Sequence, residues 1–250
     1  MMTSFIRQLF HDKTTAVMLL ISSFIIGICA LAPSLFVIIV LNKYLASGVT
    51  ATLLSLAAGA ILLLSFEFAF RQNRSAMIQN LNKNIFQSLS EQLAKKIKDT
   101  QITGDQFKKL ERAGAVIKNA TNSSITAWIL DWPFVLMFLI ALLYINWTAA
   151  VITAIFMIVM MLMTAQRVNL SLQQDSTANL EIFLTGLLTI TIMSVGATQI
   201  MAGTLDIGLL IGSNILAARA LQGANKYAKA KEAIKQRDQA TAEIISFIKQ

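Results

Sequence analysis

The chain has 250 residues, one ordinary domain or two small ones, with 56% hydrophobic and only 14% charged residues. A soluble domain is roughly 45–50% apolar and about 25% charged; this chain could not bury so much apolar surface and still cover itself with polar groups, so it belongs in a bilayer. The net charge is +8, and one cysteine (Cys29) with one histidine (His11) leaves no internal disulfide, no Cys- or His-built metal site and no Cys–His or Ser–His nucleophile.

A helix needs about 20 mostly apolar residues to cross the hydrocarbon layer. Residues 14–41 carry no charge and form the first span, closed by Lys43 and the turn Ala46-Ser47-Gly48. Ala30-Leu31-Ala32 resembles a signal-cleavage site, but Pro33 would follow the cut and the apolar run continues to Leu41, so the span reads as uncleaved. Residues 49–70 form a second span interrupted only by Glu67. From Ile125 to Ala165 the only charge is Asp131, and Asn146–Trp147 divides this double-length run into spans 125–145 and 147–165. From Ile182 to Ala218 the only charge is Asp206, and Gly203–Thr204 marks the division into spans 182–202 and 205–221. The expectation is an all-α membrane protein with six spans in a single transmembrane domain, residues 1–250.

Charge asymmetry supports an even count. Twenty of the 21 basic residues fall before span one, between spans two and three, after span four or from Arg219 onward; only Lys43 falls on the other side. Both termini are therefore expected in the cytoplasm, with the positive excess facing anionic headgroups rather than nucleic acid.

Two segments, 71–118 and 222–250, read as cytoplasmic helices. Met77, Leu81, Ile85, Leu89, Leu93 and Ile97 recur every fourth position, with Ile78 and Phe86 beside them and polar residues opposite. No breaker separates this stripe from span two, so one long helix is expected to about Lys98. Lys98-Asp99-Thr100-Gln101-Ile102-Thr103-Gly104 supplies a turn, and Phe107, Leu110, Val116 and Ile117 pattern the return. The extensions are either solvated helical tails or stalks that carry motion to another component.

Three stretches carry a resemblance. Pro33-Ser34-Leu35-Phe36, with Asn42-Lys43-Tyr44-Leu45-Ala46-Ser47-Gly48 and Thr52-Leu53-Leu54, is one; Asp131-Trp132-Pro133-Phe134 is another. The most specific is Gly208-Leu209-Leu210-Ile211-Gly212-Ser213-Asn214-Ile215-Leu216-Ala217-Ala218-Arg219-Ala220-Leu221. In order and spacing they resemble the transmembrane domain of bacterial ABC exporters of the type I protein-secretion group. That resemblance implies a six-helix bundle in the bacterial inner membrane, paired with a second copy or a related transporter half. It also implies an export path opened alternately by nucleotide-binding domains, with the turn at 98–104 as a coupling element docking on such a domain. The chain departs from the pattern twice. It has no G-x-x-x-x-G-K-[ST] phosphate-cradling string, so no enzymatic activity or cofactor is expected in this chain, and ATP enters only through a separate nucleotide-binding partner. The connection 166–181 is also too short for two long stalks with a second coupling element between them.

Ionisable groups inside a bilayer are costly and are site candidates by default. Glu67 stands four residues before Arg71, a favourable ion-pair spacing, and is otherwise a transport-site candidate. Asp131 before Trp132-Pro133 is expected to cap a helix start or sit at a proline kink, and Asp206 to cap the outer loop or span six. Gly208-x-x-x-Gly212 permits close helix approach, within the chain or between copies. Trp132 and Trp147 are expected as interfacial anchors, and Met157, Met160, Met161 and Met163 as packing residues or a flexible transport surface. The resulting expectation is a permease subunit of an ABC-type exporter. The alternative is a degenerate, non-transporting scaffold or regulatory subunit that assembles with a full exporter. An energy-independent channel or carrier is weakened by the scarcity of buried charge.

Overall fold

The computed structural model describes residues 13–44, 50–99, 104–120, 123–169 and 174–249. Among these the chain is all-α, with no strand. In order the helices are α1 (Lys13–Cys29), α2 (Ala32–Ile39) with a π-helical turn at Val40–Tyr44, and α3 (Thr50–Asp99). They continue with α4 (Gly104–Ala120), α5 (Ser123–Ile145), α6 (Trp147–Asn169), α7 (Gln174–Met201) and α8 (Ile207–Lys249). Among the described residues, six stretches are long and apolar enough to cross a membrane: Thr14–Lys43, Thr52–Asn80, Ile125–Ile145, Trp147–Thr164, Asn179–Met201 and Ile207–Ser246. The second and sixth run past their expected ends because nothing in α3 or α8 interrupts the helix where the sequence turns polar.

The first span differs from the expected continuous helix. It breaks at Ala30–Leu31, where Leu31 N–H bonds the Ile28 carbonyl at 3.0 Å in a tightened last turn. Pro33 then sits in the first turn of α2, where its missing N–H costs nothing. Ser34 Oγ donates to the Leu31 carbonyl at 2.7 Å and helps fix the restart.

The chain forms two compact units. The first comprises residues 21–71 and 131–228. Its core gathers Val135, Phe138 and Leu142 of α5 with Met157 and Met160 of α6. The α7 row Leu180, Leu184, Leu188 and Ile192, at four-residue spacing, and the α8 residues Leu216, Ala217, Ala220 and Leu221 complete it. Met161 and Met163 are half-buried against the same core. Thr148 opens α6 and Gln199 lies near the end of α7, and the two are hydrogen-bonded, so α6 and α7 run antiparallel. Lipid is as apolar as leucine, so close packing rather than water exclusion must hold such a unit together.

Close approaches at glycines involve α8. A Cβ built at Gly196 of α7 would stand 2.1 Å from Leu210 Cδ1, and one at Gly223 would stand 2.5 Å from Val135 Cγ2. The α3 portion of this unit is the exception. Ile61, Leu62, Phe66 and Phe68 are exposed, and Glu67 is the buried residue of that stretch.

The second unit comprises residues 1–20, 72–130 and 229–250. Leu19, Ile78, Leu130 and Ile234 form one cluster. Leu110, Ala113 and Ile117 of α4 form another with Ala240 and Ile244 of α8. The three-and-four spacing on α4 and the four-residue step on α8 are those of two helices meeting along a narrow seam. Val116 packs against it as expected, whereas Phe107 and the α3 stripe from Leu81 to Ile97 lie outside the described side chains.

Candidate functional site

Glu67 and Arg71 meet as the four-residue spacing predicts. Arg71 Nε and Nη2 both donate to Glu67 Oε1, at 2.9 and 2.8 Å. Glu67 is buried while the Arg71 side chain is 46% exposed, so the cation reaches outward from a carboxylate held inside. Among the described residues, Glu67 Oε2 is buried without a hydrogen-bond partner.

Asp131 does not start a helix, contrary to one of its two expected roles. α5 begins at Ser123 and runs through it, with Pro133 inside the helix. The proline removes the N–H that would otherwise bond the Ile129 carbonyl. Directly beside it, Trp132 stacks on Tyr227 of α8, with ring centroids 4.3 Å apart and planes 19° from parallel. Trp132 is therefore engaged within the protein, whereas Trp147 is 67% exposed.

Gly208 and Gly212 are used within the chain. A Cβ at Gly208 would fall 2.2 Å from Asn42 Oδ1 and 3.1 Å from the Ile38 carbonyl oxygen. One at Gly212 would fall 2.3 Å from Ile38 Cγ1. The two glycines thus form a track on α8 that receives Ile38 of α2 and Asn42 of the π-helical turn. Asp206 immediately precedes α8, and its carbonyl accepts from Leu210 N–H at 3.0 Å.

Of the candidate coupling turn, Lys98 and Asp99 end α3 and Gly104 opens α4, while Thr100, Gln101, Ile102 and Thr103 lie outside the described residues. His11 also lies outside them.

Two polar constellations escaped the sequence reading. Asn146, the residue between α5 and α6, caps α6: its Oδ1 accepts from Thr148 N at 3.1 Å and Ala149 N at 3.3 Å. Thr148 Oγ1 donates to the same oxygen at 2.6 Å, Gln199 Nε2 donates to Thr148 Oγ1 at 2.9 Å, and Asn146 Nδ2 donates to Gln199 Oε1 at 3.0 Å. Three side chains close a ring that ties the start of α6 to the end of α7. Four residues past Gln199 the chain turns through Gly203 at φ +72°. Gly203 N bonds the Ile200 carbonyl at 2.9 Å and Thr204 N the Gln199 carbonyl at 3.0 Å, the bond pair of a glycine C-cap.

The second constellation joins α7 to α8. Asn225 is completely buried and its Nδ2 donates to Glu181. Sequence reasoning left Glu181 at the edge of a loop and Asn225 in a cytoplasmic helical extension, solvated tail or stalk. The available signal was that Asn225 continues the buried α8 row through Ala217, Leu221 and Ala224.

The Asn146–Thr148–Gln199 ring and the Asn225–Glu181 bond each tie one helix to another. Among the described residues no group of three His, Cys, Asp or Glu side chains comes together to hold a metal ion. Compared with known proteins, the sequence matches no family model and no curated protein.

Proposed function

We propose that the protein is the membrane-spanning permease subunit of an ABC-type exporter resembling the type I secretion transporters, working with a separate ATPase partner. The observation that carries this reading is the continuity of α3 and α8. Each passes from a bilayer-length apolar stretch into polar sequence without a break, over 50 and 43 residues. At 1.5 Å per residue these are rods of about 75 and 65 Å, long enough to link bilayer and aqueous phase. Mechanistically, the two rods transmit the partner's nucleotide-driven movement, and the path opens alternately to either side between this chain and a second copy or related half. No residue performs covalent chemistry. In this reading the membrane is the bacterial inner membrane and both termini are cytoplasmic.

One observation favours the alternative, a non-transporting scaffold or regulatory subunit of a full exporter. α6 ends at Asn169 and α7 begins at Gln174, so neither extends far beyond its apolar stretch. A second coupling element on the scale of the α3 extension has no room there.

Affinity isolation from native membranes in mild detergent tests both. The permease reading expects an ATP-hydrolysing partner whose turnover falls when this chain is removed. Recovery with a complete exporter whose turnover is indifferent to removal supports the scaffold instead. Recovery with neither overturns both.

A further inference from the structure

In the second unit, α4 and α8 leave an open groove of about 670 Å³ beside their seam. Its floor is apolar: Leu110, Ala113 and Ala240 are buried there, with half-buried Val116 at one end. Its two banks differ in chemistry. Lys109 and Arg112, both exposed, stand on the α4 side, while Gln236, Gln239 and Glu243 stand on the α8 side. On α4 the lining includes positions 109, 112, 113 and 116, with Leu110 between the first two, and on α8 it falls at 236, 239, 240 and 243. Both sets repeat the i, i+3, i+4, i+7 spacing by which a helix offers one face to another helix. Two such faces side by side, apolar in the middle and polar at the outer edges, form a seat for a third helix.

We infer that this groove docks one amphipathic helix of a partner protein, with acidic residues along the flank that meets α4. The charge pattern selects this occupant. The cations of the α4 bank attract carboxylates opposite them, while the amide-rich bank with Glu243 repels acid and accepts polar or basic side chains, so the charge pattern favours one orientation as well as one kind of occupant. A nucleic acid would meet the carboxylate of Glu243 on one bank, which repels its phosphates. The inference does not depend on the transport reading, because it concerns only the α4–α8 surface.

The test uses the full chain in nanodiscs of zwitterionic phosphatidylcholine and two fluorescein-labelled synthetic helical peptides. Both carry a leucine-alanine stripe; one has Glu along a flank and the other Lys at the same positions. Anisotropy is corrected with empty nanodiscs. The Glu peptide is expected to bind at least about tenfold more tightly than the Lys peptide, and the double substitution K109E/R112E to reverse that preference. Circular dichroism confirms that the doubly substituted chain, altered only at exposed positions, keeps its helices. Equal binding of the two peptides, a preference that survives the charge reversal, or adsorption no greater than to empty discs overturns the inference. So does efficient disulfide pairing of V116C chains across two copies with no peptide binding, since the seat would then belong to a second copy.

Discussion

Ile38 of α2 fills the space that a side chain at Gly212 of α8 would need: a Cβ there would lie 2.3 Å from Ile38 Cγ1 and 2.5 Å from its Cδ1. Ile38 is β-branched and has little rotamer freedom in a helix, so it cannot step aside cheaply. Gly212→Ala is expected to destabilise the protein by about 1–3 kcal/mol, the usual cost of overpacking. Thermal unfolding in detergent checks this, and Ile38→Ala in the same chain should recover part of the loss.

Asn146 both caps α6 and reaches Gln199. Asn146→Ala is expected to cost about 1–2 kcal/mol, near the upper range for a lost N-cap. Because the two residues share one hydrogen-bonded ring, Asn146→Ala and Gln199→Ala combined should cost less than their separate effects summed. A double-mutant cycle by thermal unfolding measures the coupling; strict additivity would show that the ring contributes nothing.

Gly203 is in the left-handed region at φ +72°. A Cβ built there meets nothing within 4 Å, so any penalty at this position is conformational rather than steric crowding by neighbours. Gly203→Ala is expected to lower stability by about 1–2 kcal/mol and Gly203→Asn by less, since asparagine tolerates this conformation better. Equal melting temperatures for the two variants would refute that ordering.

Removing either member of the Glu67–Arg71 pair should have unequal consequences. Arg71→Gln leaves a buried carboxylate without its cation, whereas Glu67→Gln leaves a half-exposed guanidinium that water and headgroups still solvate. Arg71→Gln is expected to reduce the yield of folded protein more than Glu67→Gln, and the double substitution to be milder than Arg71→Gln alone. Yield of monodisperse protein in detergent is the readout.

The charge asymmetry predicts sidedness. In a Cys29→Ser background, Thr204→Cys should react with a membrane-impermeant thiol reagent added outside intact cells, and Gln239→Cys should react only after permeabilisation. Both parent residues are exposed. Labelling of both from the same side would contradict the single crossing by α8 between them and the expected orientation.

Hydrophobic run length made the spans legible, since a bilayer imposes a minimum that few other structures share. Asn146 and Gly203 were legible as breaks because one is a strong helix-capping residue and the other adopts a backbone conformation that other residues avoid. What Asn146 bonds to was not legible: Gln199 is 53 positions away, and no local pattern signals a partner at that distance. The break at Ala30–Leu31 was hidden because apolar residues continue through it. For Asp131, the proline two residues on left both a helix start and a kink inside a helix open, and neighbouring helices in a packed bundle tolerate a proline well inside one. Glu181 and Asn225 were obscured for a related reason. Composition reports how polar a segment is, not which of its polar side chains has found a partner.

The stretch of α3 around Ile61 to Phe68 gives up little of its greasy girth to the rest of the chain, apart from Glu67. The folding of a single molecule therefore places almost no demand on whether leucine, isoleucine or phenylalanine stands at each of those positions. Any preference among them is set by what surrounds the helix.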